Sequence, residues 1–179
     1  MTNDDIIFSY ASDFKVATER ARDAGLFVKD FSFYNFPKAC CGDTCYLLGE
    51  YLYHKDIKTI YVCGDLDGQS HAWLVVKDKR IKAPTIRYVE IPCVVRSFLN
   101  QYGGNQYEEK IELCNYEETD INHGLIIDIT ADQFGEPSVY VDHMGDFHKQ
   151  FNFVAAHDYT GLGSLRLKQM YNTILDFIE

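Results

Sequence analysis

The chain has 179 residues, of which 46% are hydrophobic and 25% charged, and its net charge is −10 at pH 7. This length can bury a large core without disulfides, so we expect one domain over residues 1–179. The acidic balance argues against nucleic acid as a partner, because phosphate binding needs a concentrated positive surface. No apolar run could span a membrane, and the N-terminus lacks the features of a secretory signal. We therefore expect a cytoplasmic protein with no membrane partner, whose six irregularly spaced cysteines are reduced thiols.

The first third of the chain predicts two helices. A first apolar face has residues three and four positions apart, and a glycine follows it as a stop signal: Ile7, Tyr10, Phe14, Ala17, Ala21 and then Gly25. The aromatic stretch 31–36 is interpreted as a loop or a short extended piece. A second helix is expected from about 41 to 54, with Cys45, Leu48 and Leu52 on its buried stripe.

The rest of the chain predicts mainly strands. Residues 59–63 and 72–76 are expected to be strands joined by a turn over 64–68. A strand at 85–91, a short helix at 94–102 and a break at 103–105 follow, and the acidic stretch 108–118 is interpreted as a solvated face. Strands at 125–129 and 138–141 precede a closing helix at 165–178. Helices first and then strands predict an α+β fold with an antiparallel sheet.

A thiol at the start of the second helix is the main candidate for chemistry. Cys41 lies where the positive end of the helix dipole lowers a thiol pKa. A shift of the helix start by one residue would put Cys40 there instead. Asp43, in the same first turn, is expected to point away from the sulfur and to bond loop amides, since a carboxylate beside the thiol would raise its pKa.

Two residues far along the chain could complete a nucleophile, base and acid arrangement. His71 opens an apolar strand and could supply an imidazolium beside the thiol. Asp128 lies inside another apolar strand, where a carboxylate needs a partner to offset its desolvation. A rival acid/base cluster consists of Asp142, His143 and His148.

Two further possibilities concern an oxyanion hole and a metal. Beside the backbone N–H of Cys41, the candidate donors are the side chains of Asn35 and Gln69. Alternatively, Cys40, Cys41 and Cys45 with a histidine could bind zinc. The catalytic interpretation itself expects no metal and no cofactor.

Several segments of the sequence together resemble the bacterial transglutaminase-like family of the papain-like cysteine protease superfamily. The resemblance depends on CGDTCYLL at 41–48, IKTIYVCG at 57–64 and HAWLVV at 71–76, and then on the strand that contains Asp128. It covers roughly residues 36–76 and 124–134. It implies a papain/transglutaminase-like core, in which the nucleophile helix packs on an antiparallel sheet.

Matched position by position, the resemblance makes Cys41 the nucleophile, His71 the base and Asp128 the orienting acid. Residues 129–130 are Ile-Thr, where Pro-Thr is usual in the family. The family joins its His and Asp strands by a short turn, whereas 56 residues intervene here. We therefore expect an insertion at 78–123 that shapes the substrate cleft.

The sequence thus predicts a thiol-dependent amide hydrolase acting on a protein or peptide substrate through a thioester. Cysteine peptidase, glutamine deamidase and transglutaminase-like acyl transfer all remain open. A non-catalytic binding module of the same fold is the alternative from another functional class. The sequence predicts no oligomeric state.

Overall fold

The computed structural model describes residues 2–90 and 110–178, with side chains outside 85–115. Its helices are α1 (Asn3–Asp23), α2 (Phe31–Tyr34), α3 (Cys41–Tyr53), α4 (Glu118–Ile121) and α5 (Leu165–Leu175). Its strands are β1 (Thr59–Leu66), β2 (Gln69–Val76), β3 (Thr85–Glu90), β4 (Lys110–Asn115), β5 (Ile126–Asp128), β6 (Tyr140–Asp142) and β7 (Asn152–Asp158). Single 3₁₀ turns cover Ala131–Phe134 and His148–Gln150.

Helix α1 follows the predicted apolar pattern. Thr2 and Asp5 form a capping box at its start, and four of the five predicted face residues are buried, whereas Tyr10 is half-buried. The helix ends at Asp23, and Gly25 beyond it has φ +77, a conformation that glycine adopts without strain.

The stretch 31–36 was predicted wrongly as a loop or extended piece, since residues 31–34 form the helical turn α2. The side chain of Asp30 accepts a hydrogen bond from the backbone N–H of Phe33 at 3.1 Å and so caps this turn. Phe33 is fully buried and stacks on Phe36 with ring centroids 6.0 Å apart. The local cap and the burial of aromatic rings together outweigh the extended preference of the run.

The predicted antiparallel sheet is confirmed as five strands in the order β6-β5-β2-β1-β7. Strands β1 and β2 form a hairpin that is longer than predicted, because the turn shrinks to Asp67-Gly68. Both turn residues have positive φ (+52 and +83), the combination that a type I′ hairpin turn requires. His71 is therefore the third residue of β2 rather than its first.

The two faces of the sheet build two cores. On one face, Ala72, Leu74 and Ile127 pack with the buried stripes of α1, α3 and α5, and α3 contacts both β1 and β2. On the other face, Trp73, Val75 and Ile126 form a second cluster. Gly64 lies at a bulge in the pairing of β1 with β7, where a Cβ would come within 2.7 Å of Phe151 Cβ. The close approach at this bulge places aromatic rings around the start of β2.

Several predicted bounds change, and three of the helices and strands were missed. The strand predicted at 138–141 is observed at Tyr140–Asp142, and the closing helix stops at Leu175. Strands β4 and β7 and the short helix α4 were not predicted, and β4 lies within the stretch 108–118 that was interpreted as a solvated acidic face. Within the region expected to be an insertion, β3 and β4 form their own two-stranded sheet. The helix predicted at 94–102 and the break at 103–105 lie outside the described residues.

Candidate active site

The start of α3 carries two adjacent thiols in different environments. Cys40 is the N-cap residue, only 3% exposed, and burial raises its pKa to about 12. Its sulfur accepts a hydrogen bond from the Thr44 hydroxyl at 3.6 Å, as a core thiol would. Cys41 is the first residue of the helix and is half-buried, so it is the more exposed residue of the pair. Cys41 rather than Cys40 is therefore the candidate nucleophile.

The Cys41 thiol interacts with His71 on β2. Burial raises the pKa of this thiol, but a hydrogen bond with His71, the charge of that ring and the backbone N–H groups of Ala72 and Gly42 outweigh burial and lower it. The effect on the histidine is reciprocal. Burial lowers the pKa of His71, and the hydrogen bonds with Asp128 and Cys41 raise it to about 9. Each of the two groups therefore shifts the pKa of the other toward its charged form.

Asp128 lies on the other side of the His71 ring. The Nε2 atom of His71 is 2.7 Å from Asp128 Oδ2, and both side chains are at most 1% exposed. The second carboxylate oxygen accepts from the Thr130 backbone N–H at 2.8 Å and from the Thr130 hydroxyl at 3.0 Å. Burial raises the pKa of Asp128, and hydrogen bonds from His148 and His71 lower it well below its usual range. The desolvated carboxylate predicted from the sequence therefore has its partners.

The ionised carboxylate fixes the tautomer of His71. A carboxylate only accepts hydrogen bonds, so the Nε2 atom of His71 must carry a hydrogen. The other nitrogen, Nδ1, is buried and has no hydrogen-bond partner among the described residues. His71 on β2 thus bonds Asp128 on β5 and also lowers the pKa of Cys41 on α3.

His148, placed by the sequence in a rival cluster with Asp142 and His143, joins Asp128 instead. Its Nε2 atom is 3.1 Å from Asp128 Oδ2, and the residue is 1% exposed. His143 is exposed, and its Nδ1 atom lies 3.3 Å from the Gly124 carbonyl oxygen. The carboxylate of Asp142 accepts from the backbone N–H of its neighbour His143. The predicted rival cluster therefore does not assemble.

Neither candidate side-chain oxyanion donor has a contact with the thiol among the described residues. Asn35 is exposed at the end of α2, and Gln69 is exposed at the start of β2. Tyr61, which the sequence pattern did not single out, lies beside the first turn of α3. A Cβ on Gly42 would lie 3.3 Å from its hydroxyl oxygen. The alternation of strand 59–63, with Tyr61 and Cys63 on the helix side, was the signal that could have found it.

Asp43 points away from the sulfur, as expected, but its partner is a side chain rather than loop amides. Its Oδ2 atom accepts from Nη1 of Arg166 on α5 at 2.7 Å. The same guanidinium donates to both carboxylate oxygens of Asp30, at 2.6 and 2.9 Å. This clamp neutralises the acidic charge nearest in sequence to Cys41.

The zinc set predicted from cysteines does not form in the described part of the chain. Burial raises the pKa of both Cys40 and Cys45, which keeps these thiols protonated. The group whose ligand atoms do converge is His71, Asp128 and His148, within 4.8 Å of one another. Its members are the hydrogen-bonded cluster described above.

In the part of the chain that the structure describes, no helix is both long enough and apolar enough to cross a bilayer. Comparison of the chain with protein-family models, with curated proteins and with solved structures gave no match.

Proposed function

We propose that this protein is a thiol-dependent amide hydrolase that acts on a protein or peptide substrate through a thioester. The reaction could be that of a cysteine peptidase, a glutamine deamidase or a transglutaminase-like enzyme, and we extend the proposal to membership of the bacterial transglutaminase-like family. The observation that supports this proposal best is the hydrogen bond of 2.7 Å between Asp128 and His71. The imidazole of His71 also lowers the pKa of Cys41. A lone structural cysteine needs no such arrangement.

The first half of the reaction forms the thioester. The Cys41 thiolate attacks the carbonyl carbon of an amide, and the backbone N–H of Cys41 and the Tyr61 hydroxyl stabilise the resulting oxyanion. When the C–N bond breaks, the imidazolium of His71 gives its Nδ1 proton to the leaving nitrogen. Amine or ammonia departs, and the acyl group stays on the sulfur.

The second half releases the acyl group. Neutral His71 accepts a proton from water at Nδ1, and the hydroxide attacks the thioester carbon. The C–S bond breaks, the product leaves as a carboxylic acid, and the thiolate and imidazolium are restored. Asp128 stays ionised throughout and holds the ring in one orientation. An amine in place of water would give acyl transfer, and we favour water because the sequence shows no dedicated amine site.

The test traps the acyl group with hydroxylamine. Wild type, Cys41→Ala and Cys63→Ala are incubated with a complex tryptic peptide mixture and hydroxylamine, and hydroxamates are identified by mass spectrometry. Cys63, a half-buried cysteine facing α3, is the matched control. We expect hydroxamates from wild type and Cys63→Ala and none from Cys41→Ala. No hydroxamate from wild type, or equal amounts from Cys41→Ala, would refute the proposal.

One observation favours the alternative of a non-catalytic binding module. His71 is fully buried, and its Nδ1 atom, which has no hydrogen-bond partner among the described residues, is closed to solvent. A module would keep the buried hydrogen bonds yet form no thioester, which the same hydroxylamine experiment distinguishes.

A reduced thiol at this position suits the cytoplasmic location that we propose.

A further inference from the structure

His148 is a polar residue inside an aromatic cage. Its ring centroid lies 4.8 Å from those of Tyr140 and Phe147 and 5.1 Å from that of Trp73. An imidazole in such a place is costly unless it forms hydrogen bonds. Its Nε2 atom satisfies this need on Asp128, and because the carboxylate only accepts, Nε2 must be the donor.

We propose that His148 is a positioning residue of the reaction, which acts on His71 through the carboxylate oxygen that both rings share. This inference rests on the proposed function. His71 and His148 both donate to Oδ2 of Asp128, at 2.7 and 3.1 Å, while Thr130 holds Oδ1. The four hydrogen bonds fix the plane of the carboxylate, and the two on Oδ2 divide its negative charge.

The division of charge has a chemical consequence. A carboxylate oxygen that accepts a second hydrogen bond is a weaker base toward the first donor. Without His148, Asp128 would hold the Nε2–H of His71 more tightly. His71 would then be a weaker acid and would give its Nδ1 proton to the leaving nitrogen more slowly. His148 thereby keeps the imidazolium acidic enough to act as a proton donor.

The titratable groups that interact with this pair come from separate elements. Cys41 reaches His71 from α3, Asp128 from β5, and His148 reaches Asp128 from the 3₁₀ turn. Cys45, also on α3, is influenced by the charge of Asp128, but burial keeps its thiol protonated. Loss of His148 would therefore change the pKa of His71 through Asp128.

A metal ion bound by the same three side chains is the competing explanation. Metal-bound histidines almost always donate a hydrogen bond from their second ring nitrogen. Among the described residues Nδ1 of His148 has no such partner, and neither does Nδ1 of His71. These features favour the hydrogen-bonded cluster.

The test compares His148→Phe, which fits the aromatic cage without a donor, with His148→Gln, which keeps an N–H donor. A cavity of about 70 Å³ beside Trp73 and His148 leaves room for the larger Phe ring. His123→Phe at an exposed site is the matched control. Each change is made in Cys41→Ala, where the thiolate no longer affects His71, and the His71 titration is followed by NMR of ring-labelled histidine.

We expect the His71 midpoint to rise by about one pH unit in His148→Phe and to return with His148→Gln. With Cys41 restored, kcat for hydroxamate formation should fall about tenfold in His148→Phe, with little change in KM, and recover in His148→Gln. An unchanged midpoint in folded His148→Phe, or equal losses in the Phe and Gln variants, would overturn the inference. So would stoichiometric binding of Zn²⁺ alone by wild type that His148→Phe abolishes.

The titration needs no turnover, so the two proposals can fail separately. Absence of hydroxamate from wild type would refute the reaction and the kinetic role of His148 with it. Hydroxamate from wild type together with an unmoved titration would refute the role of His148 alone.

Discussion

Replacing His71 by Gln should reverse the direction of the pKa shift of Cys41. In wild type, the ring overcomes burial and lowers the thiol pKa below its ordinary 9.0. Gln can still donate a hydrogen bond to Asp128 but carries no charge, so burial becomes the dominant influence on the sulfur. We therefore expect the midpoint of the alkylation rate against pH to lie below 9.0 in wild type and above 9.0 in His71→Gln.

The magnitude follows from the thiolate fraction. A thiol of pKa 9.0 is about 1% ionised at pH 7, so a wholly ionised Cys41 would hold about a hundredfold more thiolate. A thiolate of lower pKa is intrinsically less nucleophilic, which offsets part of this gain. We expect alkylation at pH 7 to slow by about tenfold in the variant.

The assay is reaction with iodoacetamide, resolved to individual cysteines by peptide mass spectrometry. Cys40 and Cys45 have raised pKa values and should stay unlabelled in the folded protein, which provides an internal control. The matched variant is His157→Gln, since that ring stacks on Tyr61 at 4.9 Å without reaching the thiol and should leave the midpoint unchanged. A wild-type midpoint at or above 9.0, or one that His71→Gln does not move, would show that the ring does not activate the sulfur.

Three further predictions concern stability, each measured as the free energy of unfolding in urea. Asp128→Asn should lower the free energy of unfolding by about 3 kcal/mol at pH 7. Because the folded pKa of Asp128 is depressed, this loss should shrink as the pH falls below 3.8. A loss that does not depend on pH would contradict this linkage. Lys15→Met should cost about 2 kcal/mol, since the buried ammonium donates to Ile129 O at 2.8 Å and to Asp132 at 2.7 Å; a neutral result would mean that neither bond contributes. Gly64→Val should lower the free energy of unfolding by about 2 kcal/mol or more, because the new Cβ would clash with Phe151. Gly68→Asn at the open turn should lower it by less than about 1 kcal/mol. Equal losses would argue against the close approach at the bulge.

Elements encoded by local periodicity were predictable, and those defined by distant partners were not. Helices α1 and α3 carry apolar residues at helical spacing, and strands β1 and β2 flank a turn-rich segment, so each was placed within a few residues. Strand β7 has exposed residues alternating with half-buried ones only over its first four positions, and it becomes a strand by pairing with β1. The turn α2 depends on the cap from Asp30, which a run of aromatic residues conceals.

The sequence by itself determined which residues needed partners. A carboxylate in an apolar strand needs hydrogen bonds, and a thiol at a helix start is exposed to the dipole, whatever the rest of the fold does. Which groups meet those needs was decided only by the tertiary structure. The register of β2 against β5 brings His71 to Asp128, the 3₁₀ turn adds His148, and α5 brings Arg166 to Asp43. These partners lie between 20 and 123 residues apart, and strand pairing and helix packing, rather than local spacing, set the distance between their side chains.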